Sequence, residues 1–241
     1  MNWAQQCIVI IPCFNEEHGL NALLPKLRRF LPNILIVDDG STDGTALAAG
    51  RHGAQVLSSS VNQGKGTAVR QALEHVRRQG YAWTLVMDGD GQHSPEDIPS
   101  FFARAESSPV DLVIGNRMDQ CENMPFIRRW TNRYLSYCIS TLVDQSFPDT
   151  QCGFRLIRLD ALKGVDLNTT GFEIESEMLA QMALVQRRID FVPIATIYKD
   201  EQSKIHPIRD SLRWYRWLFA MKRATSAPLA ADADALKPSQ A

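Results

Sequence analysis

The chain has 241 residues, 44% of them hydrophobic and 22% charged, with a formal net charge of -1. That length can bury a sizeable core, and the near-zero balance excludes a global field that would draw the protein to nucleic acid or to anionic membrane. The five cysteines are odd in number and form no CxxC pair, so zinc-ribbon and dithiol redox readings have no support and reduced thiols are expected.

In chain order, the N-terminus "MNWAQQCIVIIPCFNEE" lacks a basic flank and a long apolar run, so no signal peptide is expected. Nor does any stretch approach the ~20 apolar residues of a membrane span. Strand-length apolar runs fall at 7–12, 34–39, 54–59, 83–88 and 111–116. Most are continuous and β-branched, as in strands covered on both faces. Between them lie helical patterns at 17–31, 42–52, 65–79 and 95–106. Pro25 should kink or split the first. Ser41 or Thr42 can cap the second, and Ser94-Pro95-Glu96 is a good start for the fourth. This alternation predicts an α/β fold with a doubly wound, mostly parallel sheet. Beyond residue 116 an amphipathic aromatic helix is expected at 126–143, strands at 154–158 and 188–198, a helix at 173–187 and a basic aromatic helix at 208–223. The last residues, 224–241, are poor in large apolar side chains and read as a disordered tail.

In such sheets ligands bind beyond the carboxyl ends of the strands. Polar signals fall at four of those ends: "PCFNEE" (12–17), "DDGSTDGT" (38–45), "DGDGQH" (88–93) and "GNR" (115–117). Each alone could be a turn; together they mark an edge. "DGDGQH" is not an EF-hand loop, because His93 and Pro99 stand where Gly and Glu are required. A phosphatase with an aspartate nucleophile remains possible on spacing, as does a divalent cation shared between carboxylates and a substrate's phosphates. Glycines beside the acids would allow a diphosphate to approach. "NQGKGTA" (62–68) has neither Walker nor dinucleotide spacing, but Lys65 at a helix start could meet an anion. His93 lies near the acids, whereas His18, His52 and His75 read as surface residues, and Glu173, Glu175 and Glu177 as helix-dipole partners.

The ordered strings "IPCFNEE", "VDDGSTDGT", "NQGKGTA" and "MDGDGQH" resemble the motif series of family 2 glycosyltransferases with a GT-A fold. "DTQCGFR" (149–155) and "GFEIESEM" (171–178) are similar to the dolichyl-phosphate mannose synthase and polyprenyl-phosphate glycosyltransferase branch. The resemblance covers about residues 7–218. It implies a single GT-A domain over 1–223, with a nucleotide-sugar half (7–116) and an acceptor half (117–223). It implies that Pro12, Asn15, Glu16, Asp38 and Asp39 hold the donor nucleoside, with Lys65 also on the substrate, and that Asp88, Asp90 and Gln92 hold Mg²⁺ or Mn²⁺ and the diphosphate. Arg117 and Arg128 match basic positions near the transferred sugar and the acceptor phosphate, and Asp90, Arg117 and Arg128 are the expected catalytic set. The implied reaction is inverting transfer from GDP-mannose or a UDP-sugar to a polyprenyl or dolichyl phosphate. "DSLRW" (210–214) departs from the QxxRW of many relatives that glycosylate hydroxyls, since Asp210 replaces Gln. Transfer to a hydroxyl of a lipid or glycan is the rival activity, and a non-catalytic nucleotide-sugar-binding protein the remoter one.

A bilayer-resident acceptor and a chain without a span together predict a cytoplasmic protein held peripherally at the membrane. Two segments suit that contact: Arg128, Arg129 and Arg133 beside Trp130, Tyr134 and Tyr137, and Leu212, Tyr215, Leu218 and Phe219 at helical spacing among Arg209, Arg213 and Arg216. A helix packed on the sheet is the alternative for each. No nucleic-acid partner is expected.

Overall fold

The computed structural model describes residues 1–121, 124–195, 197 and 206–226. By its internal contacts the chain forms two compact units, Met1–Glu201 and Gln202–Ala241.

The first unit is built on one seven-stranded sheet: β1 (Cys7–Cys13), β2 (Ile34–Asp39), β3 (Gln55–Ser59), β4 (Trp83–Val86), β5 (Leu112–Asn116), β6 (Arg155–Arg158) and β7 (Ile189–Pro193). Their spatial order is β3-β2-β1-β4-β6-β5-β7. All neighbours are parallel except β6, which runs antiparallel to both β4 and β5. The sheet is therefore mixed and mostly parallel, as expected. β6 and β7 complete it beyond β4 and beside β5, so the segments before and after residue 116 share one sheet. Every residue of β2, β4 and β5 is buried, and all of β1 except Pro12. Since successive side chains point to opposite faces, this requires cover on both. Pro12 is tolerated in a central strand because β1 pairs with β4 only as far as Ile10↔Val86.

The cover comes from α1 (Trp3–Gln6), α2 (Glu17–Leu27), α3 (Thr45–Arg51), α4 (Lys65–Arg77), α5 (Ile98–Ser107), α6 (Phe126–Val143) and α7 (Ile174–Leu184). α2 packs on α3, α4 lies along β1 and β2, and α6 meets α7. α2 is not split by Pro25, which falls in its last turn, where the helix simply ends. α3 starts at Thr45, not at 42, because Ser41, Thr42 and Asp43 bond the chain around residues 15–17 and do not cap a helix. Ser94 does cap the turn before α5, accepting from the Glu96 amide.

The second unit is described over α8 (Pro207–Ser226), which extends past the expected end at 223. Ile208, Leu212, Tyr215 and Phe219 form an exposed stripe, whereas Trp214, Leu218 and Met221 are buried, so Leu218 does not share a face with the other three apolar positions expected to line a membrane contact. The segment 227–241, expected to be a disordered tail, lies outside the described residues. Among the described residues no helix is long and apolar enough to cross a membrane.

Candidate active site

The strand order reverses between β1 and β4, and the loops beyond their carboxyl ends carry the acidic motifs. On the β1–β2 side the motif side chains knit two loops together. Asn15 takes the left-handed conformation (φ 54°). Its amide donates to Ser41 Oγ at 2.9 Å, and its Oδ1 accepts from the Thr42 amide at 2.8 Å. The Glu16 amide donates to Thr45 Oγ1 at 2.9 Å. Asp38 accepts from the Ser41 amide at 3.0 Å. Asp39 is buried, and its two oxygens accept from the amides of Gln63 (2.8 Å) and Gly64 (2.7 Å). Asp39 thus fixes the loop that delivers Lys65 to the start of α4. Gly64 caps that helix at φ 94°, and a Cβ there would lie 2.3 Å from the Thr170 carbonyl oxygen.

Asp88 and Asp90 follow β4. Lys65 Nζ lies 2.6 Å from Asp88 Oδ1 and 2.6 Å from Glu175 Oε1. The buried His93 places Nε2 3.6 Å from Asp88 Oδ2, with its ring against Phe154. Burial opposes charge on Asp88, but the bonded Lys65 ammonium, with His93 nearby, overcomes it and holds the carboxyl well below the usual range. Burial likewise opposes charge on Lys65, and the Asp88 and Glu175 carboxylates keep it protonated. Among the described residues Asp90 has no cation bonded to it. Burial and the Asp88 charge push its carboxyl up, while the Gln92 amide donates to its Oδ1 at 2.9 Å.

The glycines of this loop serve internal packing. A Cβ on Gly89 would fall 2.9 Å from Cys13 Sγ, and one on Gly19 would meet the Gly89 carbonyl oxygen at 2.4 Å. Gly91 turns the chain at φ 69°. Among the described residues no three His, Cys, Asp or Glu side chains gather into a metal cage. The donor set still fits a hard divalent cation that takes its other ligands from phosphate and water: two carboxylates stand two residues apart, and Asp90 sits buried beside the Asp88 charge, a setting that a cation would relieve.

The other side of the site comes from the segment before β6. Arg117 grips Asp149 through Nε (2.7 Å) and Nη2 (2.8 Å), and Asp149 is completely buried. Burial works against the Asp149 charge, yet the guanidinium lowers its pKa. Arg117, expected near the transferred sugar, is thus bidentate to a protein carboxylate. Arg128 is half-buried on the first turn of α6. Arg155, only 2% exposed, donates to the carbonyls of Thr150 (3.0 Å), Cys152 (2.8 Å) and Glu175 (2.7 Å). Gly153 follows Cys152 directly, and a Cβ there would sit 2.8 Å from Asp88 Oδ2 and 3.2 Å from Lys65 Nζ.

The acids of α7 are structural partners, not merely dipole ones. Glu173, Glu175 and Glu177 are all buried. Glu177 accepts from the amides of Asn168 and Thr169 and from Thr169 Oγ1 at 2.7 Å. Next to this pinned segment the Thr170 carbonyl receives the Gly66 amide at 3.0 Å. A signal for these acids was present in the sequence: the polar residues of α7 do not gather on one face, which marks a helix without a solvated side, and a carboxylate inside one must find a partner.

α6 buries Asn132, Ser136 and Ile139 on one side. On the opposite side Phe126, Ile127, Trp130, Tyr134 and Tyr137 are exposed, Phe126 at 80% and Tyr137 at 68%, with Trp130 and Tyr134 stacked at 5.7 Å. Arg133 is exposed beside them.

Among solved structures, the chain resembles glucosyl-3-phosphoglycerate synthase from Mycobacterium tuberculosis in complex with Mn²⁺, UDP-glucose and phosphoglyceric acid. The TM-score is 0.68 at 17% identity over 92% of this chain and 80% of that one. That likeness shows the GT-A fold. In sequence the chain is 30% identical to an undecaprenyl-phosphate mannosyltransferase of Micrococcus luteus, over 80% of this chain and 84% of that protein. It is 29% identical to a dolichyl-phosphate beta-glucosyltransferase of Saccharomyces cerevisiae, over 90% and 74%. Residues 8–165 match the family model described as glycosyl transferase family 2. A match that runs from β1 to just past β6, through both acidic loops and the Arg155 segment, means that this chain belongs to glycosyl transferase family 2.

Proposed function

We propose that the protein moves a sugar, with inversion, from a nucleotide-sugar donor to the phosphate of a polyprenyl carrier at a membrane surface. The observation that carries this reading is the Asp88–Asp90 pair at the strand-order switch. One of its acids is bonded to Lys65, and the other is buried beside that acid's charge with no cation bonded to it among the described residues. Asp88 and Asp90, with Gln92 beside them, would hold Mg²⁺ or Mn²⁺, which supplies Lewis-acid neutralisation of the departing diphosphate. The loop fixed by Asn15, Glu16, Asp38 and Asp39, with Pro12 at the end of β1, would receive the nucleoside. Relatives carry the names of both a mannosyl and a glucosyl transferase, so the donor class is GDP-mannose or a UDP-sugar.

The carboxylates of the site favour a phosphate acceptor over a hydroxyl. A hydroxyl needs a general base. Asp88 and Asp149 are each held below the ordinary carboxylate range by a bonded cation, and Asp90, whose carboxyl is pushed up, would be committed to the divalent cation, which makes all three poor bases. A phosphate monoester has a second pKa near ~6 and arrives already anionic. Such an acceptor needs orientation, and Arg128 and the cations of α6 are the groups to supply it. The aromatic stripe of α6 faces away from the buried side of its helix, and Trp, Tyr and Arg along one face suit the headgroup level of a bilayer.

The test is Asp90→Ala, assayed for nucleoside diphosphate release with Mn²⁺ or Mg²⁺, a panel of GDP- and UDP-sugars and a short polyprenyl phosphate. Turnover should fall at least 100-fold while the melting temperature holds. Full activity in that variant, or in excess chelator, would remove the assignment; turnover only with hydroxyl acceptors would install the rival.

A further inference from the structure

Lys65 makes two equal contacts, and only one of them is to the acidic pair after β4. Its ammonium lies 2.6 Å from Asp88 Oδ1 and 2.6 Å from Glu175 Oε1, with the Phe172 ring centroid at 5.8 Å. A lysine bound only to Asp88 would compete with any divalent cation for that carboxylate. A lysine shared with Glu175 competes less. We propose that Glu175 is a positioning residue that draws the Lys65 ammonium partly off Asp88 and so keeps Asp88 available to a divalent cation. This rests on the reading that Asp88 and Asp90 hold such a cation.

Three features of the fold support the assignment. First, the anchor is rigid. Glu175 is buried at the start of α7, and its own carbonyl accepts from the fully buried Arg155 at 2.7 Å. Second, the approach of Lys65 is fixed from the same side. The Gly66 amide donates to the Thr170 carbonyl, and Glu177 pins the neighbouring residues 168–169 through three donors. The α7 region thus sets both the acceptor of Lys65 and the position of the helix that bears it. Third, the sharing has no substitute: of the two carboxylates that Lys65 bonds, removing Glu175 leaves Asp88 alone. Groups that act on a metal through its ligands change affinity by about 10–100-fold when removed.

The experiment titrates the full chain with Mn²⁺, following the free-ion signal by electron paramagnetic resonance, alone and with saturating GDP or UDP. Glu175→Gln keeps the side-chain shape and should weaken Mn²⁺ binding at least tenfold. Glu175→Asp keeps the charge and should retain most of the affinity. Lys65→Met removes the competitor, so the double variant Lys65→Met/Glu175→Gln should bind Mn²⁺ no more weakly than Lys65→Met alone. A merely structural glutamate would not give that epistasis, and melting temperatures recorded in parallel identify any variant that fails to fold. Wild-type affinity in Glu175→Gln, or additive losses in the double variant, would overturn the proposal. Failure of the underlying reading looks different: the wild type would bind no Mn²⁺, or Asp90→Ala would bind it as tightly.

Discussion

Gly153→Ala tests how closely the segment before β6 is built against the acidic pair. Gly153 has an ordinary backbone conformation, so alanine brings no φ strain there. The added methyl would lie 2.8 Å from Asp88 Oδ2, 3.2 Å from Oδ1 and 3.2 Å from Lys65 Nζ. Ordinary contact begins at 3.4 Å, so the carboxylate must retreat by about 0.6 Å. The loop yields less readily, because Arg155 holds the carbonyls of Thr150 and Cys152 just before Gly153. Asp88 is a short side chain already bonded to Lys65, so its displacement disturbs whatever that carboxylate holds. Misplacement of this order costs roughly 10–100-fold in rate, whereas a small overpacking at a half-exposed carboxylate should cost only about 1 kcal/mol of stability. Initial rates of nucleoside diphosphate release and urea unfolding, measured on the same preparation, separate the two. Wild-type turnover in Gly153→Ala would refute the reasoning, as would an activity loss that merely follows unfolding.

Two further outcomes follow from the same geometry. The Asp149 carboxyl is depressed in the folded state by Arg117, so its contribution to stability is fully present above the unfolded value near ~3.9 and is lost as pH falls through the folded one; Asp149→Asn should cost about 3 kcal/mol at pH 7 and flatten the unfolding free energy between pH 4 and the acid limit, measured by denaturant titration, and an unchanged pH profile would show that the pair contributes nothing. On α6, Trp130→Ser with Tyr137→Ser removes exposed side chains only, so the melting temperature should hold while co-sedimentation with anionic vesicles drops severalfold and its salt sensitivity remains through the arginines; equal sedimentation of wild type and variant would leave the stripe without that role.

The sheet was legible because its strands are continuous apolar runs bounded by turn residues. Six fall within two residues of where the sequence places them, and β7 starts one residue late at Ile189 but ends at Pro193, short of the expected 198. β4 is the instructive case: it ends at Val86 and not at Asp88, so the acids lie past the strand, on the loop at the switch point. The loop after β2 was legible in composition but not in purpose. Ser41 and Thr42 look like helix caps locally, but long-range partners at Asn15 claim them instead. Likewise Asp39 reads as a ligand group, and both its oxygens are bonded to the backbone of residues 63 and 64. The insertion of antiparallel β6 between β4 and β5 has no local signature at all, since register with distant strands decides it. That insertion is what carries Gly153 to Asp88.

The electrostatic order of the site follows from this topology. Three loops deliver acids to one place, and unpaired acids in a largely buried setting repel one another strongly enough to take up protons. The fold gives a bonded cation to three of these acids, Lys65 to Asp88 and Glu175 and Arg117 to Asp149, and backbone amides to Asp39 and Glu177. Asp90 has no bonded cation among the described residues, and burial and the Asp88 charge push its carboxyl up. A buried acid beside a like charge is where a cationic ligand has most to gain. The same logic separates two kinds of residue that look alike in sequence. Asp149 and Arg117 neutralise each other, so replacing either should register first as lost stability. Replacing Asp90 breaks no ion pair among the described residues, so it should register first as lost cation binding and turnover.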